Sequence, residues 1–298
     1  MTAGTPQDDF GSALYDEAAR LDAALPDLDW SLPPEGAVRG WFDAPSGRLA
    51  TLSMGEGPRV LLVPGVTGSK EDFSLMLPLL AAAGFSVQSY DMAGQYESAA
   101  AGPASGHYDH RLFVDDLLFL LERGVGAVHV LGYSFAGTVA QLAFAQRPEL
   151  FASLTLLSTP PEPGQGFRGL KRLGPFTGLA TGRIGAALMI WGVRRNVTKV
   201  PPGRLAFVRE RFALTRRSSV ADIIELMKRA PDVRDVLAAA GIPKLVAVGE
   251  HDLWPLTLHA AHAEAIGARL AVYRTGHSPC ETAPHQLVRD LLELYARA

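Results

Sequence analysis

The feature that most constrains the fold is an alternation of two periodicities. Short, almost continuously apolar runs at 59–63, 86–90, 127–131 and 154–157 read as strands. Between them, 73–83, 112–122 and 135–146 carry the three-to-four-residue apolar spacing of helices. The rhythm resumes near the end, with strand patterns at 244–248 and 270–273 and helix patterns at 256–266 and 285–296. A strand buried on both faces has no polar side to show, and parallel strands need a crossover that a helix supplies. The pattern predicts an α/β fold: a mostly parallel sheet of about eight strands with helices on both faces. Two strand patterns at 37–43 and 49–54, joined through Pro45-Ser46-Gly47, precede it.

The alternation stops between about 161 and 240, where helical stretches are separated by Gly and Pro and no strand is legible. That predicts a helical insertion into the core, hereafter the cap. The expected organisation is an N-terminal extension at 1–35, a core at 36–160 and 241–298, and a cap at 161–240. In the extension, residues 12–24 read as an amphipathic helix with Leu14, Ala18 and Leu21 on one face.

Composition excludes several classes. With 48% apolar and 20% charged residues, the 298-residue chain is not of a disordered type. The net charge of −3 gives no support for a nucleic-acid partner. One cysteine, Cys280, forbids an internal disulfide and fits a reducing compartment; it reads as a buried spectator thiol. The longest apolar stretch, 184–193, is broken by Gly185 and Gly192 and is too short for a membrane helix. No secretory pattern is visible, so a cytoplasmic protein is expected. Charge is nonetheless uneven: 161–235 has a net charge of +9 and the remainder −12. A basic cap is either a solvated face or an attractor of anionic substrates or membrane surfaces.

The sharpest local signal is Gly132-Tyr133-Ser134-Phe135-Ala136-Gly137, between a strand and a helix. A serine on so sharp a turn needs small neighbours two residues away, and Gly132 and Ala136 supply them. A serine hydroxyl is a weak nucleophile and needs a base, which in turn needs orienting. Gly249-Glu250-His251-Asp252 and Gly276-His277-Ser278 each follow a strand, in the chain order serine, acid, histidine. Ligands of open α/β sheets bind at that edge. The candidate catalytic residues are Ser134 as nucleophile, His277 as base and Asp252 as orienting acid, with Glu250 as the alternative acid. An oxyanion requires two aligned N–H donors. Phe135, after the nucleophile, and Val66, in the loop Pro64-Gly65-Val66-Thr67-Gly68-Ser69, are the candidates.

On these residues the chain resembles the α/β-hydrolase superfamily, in its capped, serine-nucleophile, esterase- and lipase-like branch, over roughly residues 36–298. It departs from the family where Pro64-Gly65 replaces a frequent His-Gly. It departs again in Asp91-Met92-Ala93-Gly94-Gln95-Tyr96-Glu97-Ser98, where Tyr96 replaces a glycine. The resemblance implies a cap that roofs the site and selects the substrate. It also implies an acyl-serine route for carboxylic esters, thioesters or lactones, with amide cleavage and acyl transfer open. Carbon–carbon hydrolysis and cofactor-free perhydrolysis on the same triad are alternatives, as is ligand binding without catalysis. Relatives that open epoxides use Asp at the elbow.

Candidate pocket residues are Tyr133, Trp191 and Trp254. Phe176, Met189, Ile190 and Phe207 either join them or form the cap's own core, and Arg194 and Arg195 are candidate cations. The expected partner is a small molecule with an apolar portion; the oligomeric state is not legible. Gly65–Lys70 lacks the spacing of a phosphate loop. The histidines lack metal-ligand spacing, so neither metal nor cofactor is expected. His259 and His262 share a helix face and read as surface residues.

Overall fold

A computed structural model of the chain describes residues 17–164 and 200–298. Eight strands form one sheet: β1 (Val38–Ala44), β2 (Gly47–Met54), β3 (Arg59–Val63), β4 (Ser86–Tyr90), β5 (Val128–Tyr133), β6 (Phe151–Leu157), β7 (Lys244–Gly249) and β8 (Arg269–Tyr273). Their spatial order is β1-β2-β4-β3-β5-β6-β7-β8. The first two pairings, β1 with β2 and β2 with β4, are antiparallel, and the rest are parallel. The fold is therefore the α/β arrangement that the alternation predicts. β5 and β7 are buried along their whole length, which is why they read as unbroken apolar runs.

Helices cover both faces. Residues 17–23 are helical and form the described part of α1. One face of the sheet packs under α3 (His110–Leu121) and α4 (Phe135–Gln146), through Phe113, Leu117, Val139 and Phe144. The other packs under α2 (Met76–Ala82) and, close to the C-terminus, α10 (Pro284–Tyr295), through Leu77, Leu80, Leu287 and Leu291. Between β6 and β7 lie α5 (Pro202–Leu214), α6 (Arg217–Met227) and α7 (Arg234–Ala239). After β7 comes α8 (Leu256–Ala265), and after β8 the short α9 (Pro279–Thr282).

Two expectations are corrected here. The predicted helix at 73–83 is a 3-10 turn at Lys70–Phe73 followed by α2. In α1, Ala18 faces inward as expected, but Leu21 is 44% exposed and Asp22 is buried instead. The reason is a capping demand elsewhere. Asp22 accepts hydrogen bonds from the backbone N–H groups of His285 and Gln286, at 2.8 and 3.2 Å. Those N–H groups open α10 and lack partners within their own helix. A carboxylate there also meets the positive end of the helix dipole.

Candidate active site

β5 carries Ser134 to the carboxyl edge of the sheet and α4 begins at the next residue. Ser134 takes φ 53° and ψ −120°, a conformation that L-residues avoid. The turn that forces it is tight: a Cβ on Gly132 would lie 2.5 Å from the Ala136 carbonyl oxygen. The Ser134 N–H is tied to the Leu157 carbonyl at 2.8 Å, so β6 holds the strained residue in place. The side chain is left at the start of a helix, where unpaired N–H groups point outward.

The acid and base loops are laced together. Glu250 N–H donates to Tyr273 O at 2.7 Å and His251 N–H to Thr275 O at 2.9 Å. This pairing turns Glu250 outward, where it is exposed, and leaves Asp252 inside at 2% exposure. His277 Nε2 lies 3.2 Å from Ser134 Oγ, and its Nδ1 is hydrogen-bonded to Asp252 Oδ1. Of the two candidate acids, Asp252 meets the histidine. Ser134, His277 and Asp252 thus form one chain of contacts, from residues 143 and 25 positions apart.

A fourth member was not legible in the sequence. His259 Nε2 lies 2.8 Å from the second oxygen, Asp252 Oδ2. Its side chain is 1% exposed, and His262, one turn on, is also buried, so neither is the surface residue that the helix pattern suggested. Asp252 is therefore held by two imidazoles, one on each oxygen. Burial opposes its charge, but the bonds from His259 and His277 outweigh that, and its pKa lies below the usual carboxylate value. The signal was a histidine in the first turn of α8, seven residues past the acid. Periodicity alone could not tell which way that turn faces.

The loop after β3 passes over the elbow. A Cβ on Gly65 would sit 2.8 Å from Ser134 Cβ, so only glycine permits the approach. Val66 follows it, half-buried, and Phe135 lies fully buried on the other side of Ser134. Of the two candidate donors, Phe135 is the chain neighbour of Ser134 and Val66 follows the glycine that touches it.

Tyr133 and Trp254 both reach His277. The Tyr133 ring lies 5.4 Å from the imidazole, and its hydroxyl is 2.8 Å from Ser278 Oγ. The Trp254 ring lies 5.8 Å from His277 and 6.3 Å, edge-on, from His259. Phe207 packs edge-to-face on Tyr96 at 5.6 Å in a cluster with Trp30, so it seats α5 against the loop after β4. Phe176, Met189, Ile190, Trp191, Arg194 and Arg195 lie outside the described residues. Cys280 is buried, and burial pushes its thiol pKa well up.

Residues 58–175 match the family described as the alpha/beta hydrolase fold, and the eight-stranded order and the elbow are those of that fold. The chain has the α/β-hydrolase fold. Among curated relatives it is similar to bifunctional epoxide hydrolase 2 of Rattus norvegicus, 28% identical over 156 residues. That match covers 51% of this chain but only 28% of the relative's length. Among solved structures it is similar to a carboxylesterase structure from Nitrososphaera gargenis, with a TM-score of 0.70, 20% identity and coverage of 86% of this chain and 98% of that one. It is also similar to a bromoperoxidase from Bacillus anthracis, with a TM-score of 0.72, 19% identity and coverage of 88% and 100%. Likeness at such identities carries the fold. No helix among the described residues of this hydrolase-fold chain is long and apolar enough to cross a membrane.

Proposed function

We propose that this protein is a serine hydrolase that cleaves an ester-type carbonyl bond: a carboxylic ester, thioester or lactone. The observation that carries the reading is the chain from Ser134 Oγ through His277 to Asp252, on a backbone strained at Ser134. Its partners are the residue types, and stand in the geometry, that a hydroxyl needs to become a nucleophile.

In the proposed reaction His277 Nε2 takes the Ser134 proton as Oγ attacks the carbonyl carbon. Asp252 holds Nδ1–H, fixing the tautomer and stabilising the imidazolium. The tetrahedral oxyanion is received by the N–H groups of Val66 and Phe135. His277 returns the proton to the leaving oxygen or sulfur, and the acyl group stays on Ser134. A water molecule, deprotonated by the same histidine, then releases the acid. A serine at the elbow favours this route over epoxide opening, although an epoxide hydrolase is among the similar proteins. Tyr133 and Trp254 beside His277 favour a substrate with an apolar portion. The segment 161–240 is proposed as the cap over the site.

The test is covalent labelling with a fluorophosphonate probe, the adduct located by mass spectrometry. The expected result is an adduct on Ser134 that His277→Ala abolishes. Ser134→Ala should lower ester turnover by at least about 10³-fold. A folded Ser134→Ala protein with full activity would overturn the mechanism.

A further inference from the structure

The loop that carries Val66 is not held by its own backbone alone. Gly65 to Gly68 form a turn closed by Gly68 N–H to Gly65 O at 3.0 Å. Its third residue, Thr67, has φ +61°, and Val66 does not share that sign. This is the type II arrangement, in which the third position normally belongs to glycine. A β-branched residue there is strained and persists only if its surroundings fix it.

What fixes it lies outside the loop. Thr67 N–H donates to Gln95 Oε1 at 2.9 Å. Gln95 is fully buried, and its Nε2 donates to Ser219 Oγ, on α6, at 2.7 Å. Ser219 passes its own proton to Ala93 O at 3.2 Å. The direction of this relay is forced. Thr67 has only an N–H to give there, so the amide oxygen must face it and the amide nitrogen must face Ser219. A reversed amide would set two donors against each other.

The helices before β7 lean on the loop that carries Gln95. A Cβ on Gly94 would meet Ser219 Cβ at 2.6 Å, so the backbone and α6 are in close contact. Arg216 N–H donates to Gly94 O at 2.9 Å, and Tyr96 N–H to Thr215 Oγ1 at 3.0 Å. Tyr96 itself sits at φ +37°, a backbone that explains why glycine is frequent in this position of the family.

We infer that Gln95 is a positioning residue for the oxyanion loop: it keeps Val66 in register with Ser134, and makes that register depend on α6 being docked. The inference rests on the serine-hydrolase reading above. A donor that is aimed at developing charge affects the transition state more than the bound substrate. Loss of Gln95 should therefore appear in kcat rather than in KM.

The test uses the full chain with a p-nitrophenyl ester as substrate and an alkylboronic acid as analogue of the tetrahedral adduct. Gln95→Met, close in length, removes both bonds; Ser219→Ala removes only the link to α6. Gln95→Met should lower kcat about 10- to 100-fold, with boronate affinity falling in step with kcat/KM and KM nearly constant. Ser219→Ala should lower kcat about 3- to 10-fold, and the double variant should be no slower than Gln95→Met alone, because the two act through one relay. Additive losses, a rise in KM at constant kcat, or unchanged boronate affinity would overturn the inference. If Gln95→Met does not fold, Ser219→Ala decides alone: unaltered kcat in a folded protein sinks the proposal. Wild-type turnover that survives Ser134→Ala would instead remove the serine reading, and this inference with it. Ser134-dependent turnover indifferent to Gln95 removes only the inference.

Discussion

The contacts Ser134–His277–Asp252–His259 and the cluster around Asp72 are both buried and polar, and both arise in loops that follow strands. They are finished differently. The first holds one carboxylate between two imidazoles and ends on a hydroxyl at the elbow. The second is closed. Asp72 meets Arg204 at 2.7 Å and also Arg211, both on α5, and Arg204 pairs in addition with Glu281. Beside it Lys70 meets Glu71 at 2.9 Å, Asp91 at 3.1 Å and Glu97. Arg204 also lies 4.4 Å over the Trp30 ring. Burial opposes the charge on Asp72, but Arg211 and Arg204 outweigh it, so its pKa lies below the usual carboxylate value. On the proposed reading the first chain ends on a nucleophile and can move a proton. A closed set of charges cannot, and serves to fasten α5 to the core.

The largest predicted effect breaks the first network at its acid. Asp252→Asn keeps the shape but offers His277 an amide, and kcat should fall by at least about 10³-fold. Glu250→Gln, in the same loop but exposed, should leave kcat within about 2-fold. Steady-state kinetics on both variants decide this, and the reverse ranking would move the acid to Glu250.

The second network should fail in stability rather than in chemistry. Asp72→Asn leaves two buried guanidinium groups short of a carboxylate, and breaking such a set costs about 3–5 kcal/mol. Urea unfolding at neutral pH measures it. The sign with pH follows from the depressed pKa of Asp72. Its contribution is complete above the unfolded value near 4 and is lost as the pH falls through the folded value. The stability gap between wild type and Asp72→Asn should therefore close in acid. A gap below about 1 kcal/mol, the scale of an exposed pair, would mean that apolar contacts such as Tyr96 on Phe207 hold the helix instead.

This contrast also explains what was legible. Ser134, Asp252 and His277 each follow a strand, so local pattern located them, and the parallel sheet itself was written in the runs at 59–63 and 244–248. The cluster joins residues 132 and 139 positions apart, from the loop after β3 to α5, and no local pattern carries that. The positive charge of 161–235 read as a solvated face or as an attractor of anions. Arg204 and Arg211 depart from both readings, being buried against acids of the core, whereas Arg209, Arg216 and Arg217 are exposed; for the buried pair the clue lay in the complementary charges of the two parts. Leu21 and Asp22 teach the same point on a smaller scale. An apolar stripe predicted the orientation of α1, but the uncapped start of α10 drew Asp22 inward.

The smallest predicted effect sharpens the boundary between the two networks, because His259 is hydrogen-bonded to Asp252, the proposed acid, and not to Ser134. His259→Leu fills the space and removes the donor from Asp252 Oδ2. With one donor fewer, the carboxylate accepts more strongly from His277 Nδ1–H and favours the protonated imidazole. The acid limb of kcat/KM should move to higher pH, and kcat near neutrality should drop about tenfold, the scale of a lost hydrogen bond to a charged group. The neighbouring His262, whose pKa is pushed down to about 4 chiefly by burial, with Arg234 and His259 adding to it, is uncharged across that range and does not blur the limb. Rate profiles between pH 5 and 9, in steps of about half a unit, would show the displacement. A variant with an unmoved limb and full kcat would place His259 with the residues that only fill the core, and Asp252 would then be oriented by His277 and its own backbone turn alone.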